Sequence, residues 1–306
     1  MEVFLMWEQL TSTFSFAALW SPVILAIAII IAGLYLLLTG PLKSKFKNSA
    51  PFPVYKKLFF LIGVFIFYIG FGGPLSLMGH LLLSIHMTEM ALVYLIAPPL
   101  MIVGTPAWLI RPLLNITIVH KLVKFFTFPI ISLLLFNGLF SFYHIPEIFD
   151  YLMVNYTAQD IYKVALVISA FAMWWPLVCP VPEYDTLSGV KKLGYIFADG
   201  VLLTPACALI IFATTPLYAT YTDPTVWANA MGYCVPNGTI VSPALFDQFK
   251  PLGIMEDQQL GGIIMKIIQE LSYGTALGYI FFQWARTERQ KDDEELQSAE
   301  FRLNEI

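Results

Sequence analysis

Long runs of the chain carry no Asp, Glu, Lys or Arg, among them 9–42, 58–88, 90–110, 125–146, 164–182 and 200–222. A helix needs about 20 mainly apolar residues to cross the hydrocarbon of a bilayer. Uninterrupted runs of that length, repeated along 306 residues, leave too few charges to coat a water-soluble globule. Charged residues make up 12% of the sequence, against roughly 25% in an ordinary soluble domain. Lipid is the natural solvent, and helices satisfy their backbone polar groups within the segment. The expected fold is therefore all-α, a polytopic membrane protein.

Seven spans are expected, at about 22–39, 58–77, 80–109, 125–143, 162–180, 193–215 and 262–284. The third is long and contains Pro98-Pro99. Proline removes a backbone donor and crowds the preceding turn, so a bend or an end is expected there. The expected organisation is a seven-helix domain over 1–285, with an outer loop at about 216–256, followed by a charged tail over 286–306.

Lysine and arginine set the orientation. Fourteen of the 17 fall in the 43–57, 111–124 and 191–192 connections or after the last span, and only Lys163, Lys250 and Lys266 lie elsewhere. That basic side is expected to be the cytoplasm, with the N-terminus outside and the C-terminus inside. Glu2 and Glu8 and the lack of a basic start argue against a cleaved signal peptide. Cys179, Cys207 and Cys234 are far apart and odd in number, which implies no disulfide framework. No polybasic face suggests nucleic acid.

Against this background the stretch MGHLLLSIHMTEM is unusual. It places His80, His86, Met87, Glu89 and Met90 within eleven positions near the outer end of the third span. His144 ends the fourth span on the same side, whereas His120 lies among Lys121 and Lys124 on the other. His86 and Met90 are one helical turn apart, and His80 and Met87 are seven residues apart. Thioether and imidazole together suit Cu(I). Glu89 is a candidate to orient an imidazole. Met also fills gaps in any spanning helix. The last span begins with Asp257, then Gly261-Gly262, which permit close helix approach, and Met265; Asp257 and Met265 are expected to border the same outer region. Lys266 and Glu270 are four apart and can pair along the helix. Trp174-Trp175 are expected to anchor at the inner interface, and Asp199 to snorkel or take hydrogen bonds from neighbouring helices.

The runs SIHMTEMALVYLIAPPLMIVGTP, SFYHIPEIFDYLM, MWWPLVCPVPEY and DQQLGGIIM, in that order, resemble the CtaG-type cytochrome c oxidase assembly factors of Gram-positive bacteria. The resemblance covers about 79–284. It implies a seven-span protein of the bacterial plasma membrane that serves maturation of a haem-copper oxidase. By position, the family's His-Met motif falls on His86 and Met87, its His-x-Pro on His144 to Pro146, and its Asp-Gln-Gln-x-Gly-Gly on Asp257 to Gly262. Met90 stands where many relatives carry histidine, and Lys266 where they carry an aromatic residue.

Residues and resemblance together suggest a non-enzymatic metallochaperone. It would hold Cu(I) on His80, His86, Met87, Met90 and His144, supported by Glu89, Asp257 and Met265. Its partners would be an oxidase subunit, an extracytoplasmic copper donor, membrane lipid and a second copy of itself. Three rivals stay open at this stage. A zinc-dependent intramembrane hydrolase could use the histidines with Asp257. A copper transporter would thread Glu89, Asp199, Lys266 and Glu270. A haem-handling protein would use His86 and His144 as axial ligands.

Overall fold

The computed structural model describes residues 2–232, 234–235 and 241–304. All regular structure among them is helical. The chain opens with α1 (Glu2–Thr13), α2 (Phe16–Trp20), α3 (Pro22–Thr39), α4 (Val54–Phe71) and α5 (Pro74–Leu81). Next come α6 (Leu83–Ala91), a π-helical turn (Leu92–Ile96), α7 (Ala97–Val103), α8 (Ala107–Leu114), α9 (Thr117–Phe126) and α10 (Pro129–Tyr143). It continues through α11 (Pro146–Met153), α12 (Tyr156–Val178), α13 (Gly189–Phe212), α14 (Ala219–Thr222), α15 (Pro224–Met231) and α16 (Ile254–Asn304).

Five helical stretches are long and apolar enough to cross a membrane: Phe16–Thr39, Val54–Phe71, Leu83–Val103, Tyr156–Val178 and Gly189–Phe212. A sixth arises if α9 and α10, bent by 70° at Thr127-Phe128, are taken together. The remaining expected segment, 262–284, lies inside α16. That helix runs on unbroken, so the charged tail continues the last apolar stretch as helix up to Asn304. Within the first stretch, α3 has the expected bounds, with Pro22 starting the helix and Gly40 stopping it, but the apolar helical stretch itself begins earlier, at Phe16. Most of α3 faces outward, with only Tyr35 and Thr39 buried. Tyr35 holds it in place by donating to the Gly104 carbonyl at 2.6 Å and stacking on Phe60 at 3.8 Å.

The second and third stretches depart from the sequence reading. The second ends at Phe71, because Gly72-Gly73-Pro74 turns the chain into the separate helix α5. His80 belongs to α5, not to the third span. The third span starts after Leu82, whose φ of −132° and ψ of 130° break the helix. At Pro98-Pro99 the chain neither ends nor breaks; the preceding turn widens into the π-helical turn and α7 follows directly. The reason lies in the neighbours. In a regular helix, residues 98 and 99 would donate to the carbonyls of Tyr94 and Leu95, and prolines have no N–H to give. Trp174 Nε1 donates to the Tyr94 carbonyl at 3.2 Å and Ser272 Oγ to the Leu95 carbonyl at 2.9 Å. Two other helices thus replace the missing donors, as a spanning helix requires in lipid. Trp174 is fully buried in this role and is no interface anchor.

The main apolar core runs through α6, the π-helical turn, α10, α12, α13 and α16. A second cluster caps one end and is built from α1 and α2, the α5–Leu82 segment, α15 and the 241–249 strand-free stretch that follows it. It includes Leu10, Phe14, Leu77, Trp227, Phe246 and Phe249. The N-terminal helix and the long loop therefore fold together over the end of the bundle that carries the histidines, although each reads as an extramembrane extension on its own.

Trp174→Phe keeps the ring but leaves the Tyr94 carbonyl without its donor. We expect it to cost about 1–3 kcal/mol of stability, read by denaturant unfolding in detergent; an unchanged midpoint would refute the compensation.

Candidate functional site

The break at Leu82 exposes the first N–H groups of α6, which have no intrahelical partner. Asp257, in the first turn of α16, supplies the acceptor. Its Oδ2 accepts from Leu83 N at 2.7 Å, and its Oδ1 accepts from Ser84 N at 3.4 Å and from the Ser84 hydroxyl. A carboxylate at this position both caps the helix and complements its dipole. Asp257 is therefore a positioning residue, bound to the turn that leads into His86, and its oxygens are engaged.

Gly261 and Gly262 let α16 approach closely on two sides. A β-carbon at Gly261 would lie 3.1 Å from Met87 Cγ and 3.1 Å from Ser84 Cα, so this glycine faces α6. At Gly262 it would lie 2.7 Å from Ile211 Cγ1, so the next glycine faces α13.

His86 points away from α16 into an aromatic enclosure. Its ring stacks near-parallel to Tyr143 at 5.7 Å and meets Phe149 edge-on at 5.2 Å. His144 follows at the end of α10, 5.4 Å from Tyr143 and 4.5 Å from Phe140. One tyrosine thus touches both imidazoles. His144 Nδ1 lies 2.7 Å from the Phe140 carbonyl. A carbonyl only accepts, so Nδ1 carries the hydrogen and the neutral ring presents a lone pair at Nε2. That Nε2 and the Nε2 of His86 are both buried and make no hydrogen bond among the described residues.

His80 is fixed in the same way, with Nδ1 2.9 Å from the Ser76 carbonyl. It lines a cavity of about 520 Å³ together with Gln159 and Lys163 of α12 and Cys234 of the loop. Glu89 is buried beside Gly79, where an added β-carbon would sit 2.9 Å from Glu89 Oε2 and 3.3 Å from His86 Cα. Met87 lies on the α16 side, and Met90 and Met265 are buried in the main core. The structure thus brings His86 and His144 to one enclosure, with His80 and Glu89 bordering it on the α5 side, and turns Met87 toward α16. Among the described residues, no three or more His, Cys, Asp or Glu side chains are placed to hold a metal ion. His120 lies apart, exposed and bonded through Nδ1 to the Tyr184 hydroxyl at 2.5 Å.

Loop contacts close the enclosure from above. Tyr221 donates to the Gly79 carbonyl at 2.5 Å, and Tyr218 to the His144 carbonyl at 3.0 Å. Asp150 accepts from Ala219 N and Thr220 N at 2.8 and 2.9 Å, and Gln258 Oε1 from Leu217 N at 2.8 Å. Lys250 donates to the Tyr221 carbonyl at 2.9 Å and lies over the Phe246 ring; burial brings its pKa down to about 8. Residues 233 and 236–240 of this loop lie outside the described residues. Tyr143, Phe149, Tyr218, Tyr221 and Lys163 were not singled out from the sequence. The one available signal was aromatic density around His144 in SFYHIPEIF.

Elsewhere the expected Lys266–Glu270 pair forms at 2.7 Å, and Lys266 also donates to Thr204 at 2.9 Å. Asp199 is fully buried and accepts from Asn137 Nδ2 at 2.5 Å, so it takes hydrogen bonds and does not snorkel.

Helices of spanning length, helix breaks repaired by neighbouring side chains and buried imidazoles at one end define a multi-pass helical membrane protein. The sequence profile of the cytochrome c oxidase caa3 assembly factors (Caa3_CtaG) matches residues 33–287, and the chain belongs to that family. No curated protein and no solved structure matches the chain.

Gly261→Val would push a branched side chain against Met87, Ser84 and Leu83. It is expected to cost about 1–3 kcal/mol by overpacking, measured by thermal unfolding in detergent; Gly274→Val, at a position where a β-carbon meets nothing within 4 Å, is the control that stays close to wild type.

Proposed function

We propose that this assembly factor handles Cu(I) as cargo at the enclosure shared by His86 and His144 and passes it to a copper centre of the oxidase. In this reading the chain crosses the bacterial plasma membrane seven times, with the enclosure at the outer face and the lysine-rich end in the cytoplasm. The observation that carries the reading is the pair of buried imidazoles against one tyrosine, each with an Nε2 that has no hydrogen-bond partner among the described residues. Leaving a polar atom buried and unpaired costs about 1–3 kcal/mol, and a metal is one way to recover it. Imidazole and thioether donors at low coordination suit Cu(I). Met87 or Met90 would add a thioether as the cargo moves, and His80 would receive it first from the open cavity. Glu89 and Met265 would border the site.

Zinc hydrolysis fits less well. A catalytic zinc needs three firm protein ligands and an open position, and the oxygens of Asp257 are already used in capping α6. Release to the oxidase would proceed by ligand exchange in a docked complex, which requires no covalent chemistry on an organic substrate. Membership of the assembly-factor family supports contact with the oxidase.

His86→Ala and His144→Ala are each expected to lower oxidase copper content by about tenfold or more, in line with the sensitivity of metal sites to lost ligands and their supports. The abundance of the protein in membranes should stay near normal, and His120→Ala should leave oxidase copper unchanged. Metal analysis of oxidase purified from each strain is the test. Normal copper loading in the His86→Ala strain would overturn the proposal.

A further inference from the structure

Helix α9 takes no part in the enclosure, yet its two long sides differ sharply. Val119, Val123 and Phe126 are partly covered by the protein. Ile118, Leu122 and Phe125, at i, i+4 and i+7, are 70%, 52% and 55% exposed. That spacing puts the three on one face. Exposed Leu113, Ile116 and Phe128 extend the apolar patch at both ends of the helix. Lys121 and Lys124 lie along one flank, both exposed and without an ion-pair partner among the described residues.

The direction of α9 sets this face apart from that of a straight spanning helix. Thr127 and Phe128 bend it 70° away from α10, so if α10 crosses the bilayer, α9 runs close to the membrane plane. Two contacts keep its N-terminal end in place: His120 with the Tyr184 hydroxyl, and the Arg111–Glu183 ion pair at 2.9 Å just before it. A cleft of about 390 Å³ opens there, lined by Arg111, Asn115, Thr117, His120, Glu183 and Tyr184. An in-plane helix with an apolar face and a cationic flank matches the headgroup boundary of a bilayer. The lysines then meet lipid phosphate, and the apolar side chains meet the upper part of the acyl chains.

We propose that α9 is an interfacial helix that binds anionic phospholipid, with the headgroup on the Lys121–Lys124 flank beside the Arg111 cleft and the acyl chains against Ile118, Leu122 and Phe125. This stands independently of the copper reading.

The full chain reconstituted in nanodiscs provides the test. One set contains phosphatidylcholine alone, and the other contains phosphatidylcholine with phosphatidylglycerol. A spin label at Ile118→Cys, in a Cys179→Ser, Cys234→Ser background that retains the buried Cys207, reports collisions with oxygen against those with a water-soluble relaxant. Lipid retained after mild delipidation is measured by mass spectrometry. The label is expected to be oxygen-dominated, and phosphatidylglycerol to be enriched over phosphatidylcholine on the wild type. Enrichment should fall about fivefold for each of Lys121→Gln and Lys124→Gln, and should hold for Lys291→Gln on the tail. A water-dominated label at position 118, equal retention of the two lipids, or an equal loss with Lys291→Gln would overturn the proposal.

Discussion

Asp257 receives the first turn of α6, and the geometry of the histidine end follows from that contact. The chain breaks at Leu82 and restarts, which leaves backbone N–H groups pointing out of a helix end buried among other helices. An uncapped buried terminus would forfeit hydrogen bonds that water cannot replace there. A carboxylate from a helix 174 residues away removes the problem and fixes the α6 register against α16. His86 lies within one turn of that contact. Its ring faces Tyr143 and Phe149, while Met87, the next residue, lies against Gly261 of α16.

The same principle recurs deeper in the bundle. Pro98 and Pro99 release two carbonyls, and Trp174 and Ser272 take them up. Gln269 donates to the Gly200 carbonyl at 3.2 Å, and Asn137 covers one oxygen of Asp199. In each of these places a side chain from another helix meets a freed carbonyl or a buried polar group, which is how a protein tolerates such features in lipid. Several buried polar atoms, the Tyr94 hydroxyl and Trp108 Nε1 among them, lack a partner among the described residues; the Nε2 atoms of His86 and His144 differ in belonging to two imidazoles against one tyrosine, and the proposed cargo would give both a partner.

Much of the architecture was legible because charge-free runs of spanning length report directly on the solvent. The helix class followed from that alone, and the Gly261-Gly262 approach and the Lys266–Glu270 pair from residue spacing. The boundaries near the histidines did not follow, for definable reasons. The Gly72-Gly73-Pro74 turn lies inside a continuous apolar run, so hydropathy passes over it. Leu82 carries no breaker residue at all; only the distant Asp257 makes its extended backbone affordable. Conversely, Pro98-Pro99 looks like a break, and two donors 76 and 173 residues away neutralise it. His86 and His144 were expected to gather at one end of the bundle, and the structure sets both against Tyr143. Their aromatic enclosure, and the fold of the N-terminal helix onto the loop above it, depend on tertiary contacts that no local pattern encodes.

The dependence of the histidine end on Asp257 is open to direct observation by amide hydrogen exchange at Leu83 and Ser84. Protection of both amides in the native protein, with exchange about tenfold faster in Asp257→Ala, is the result expected for a lost helix cap. Equal exchange in the two proteins would contradict the capping role and, with it, this explanation of how His86 is held.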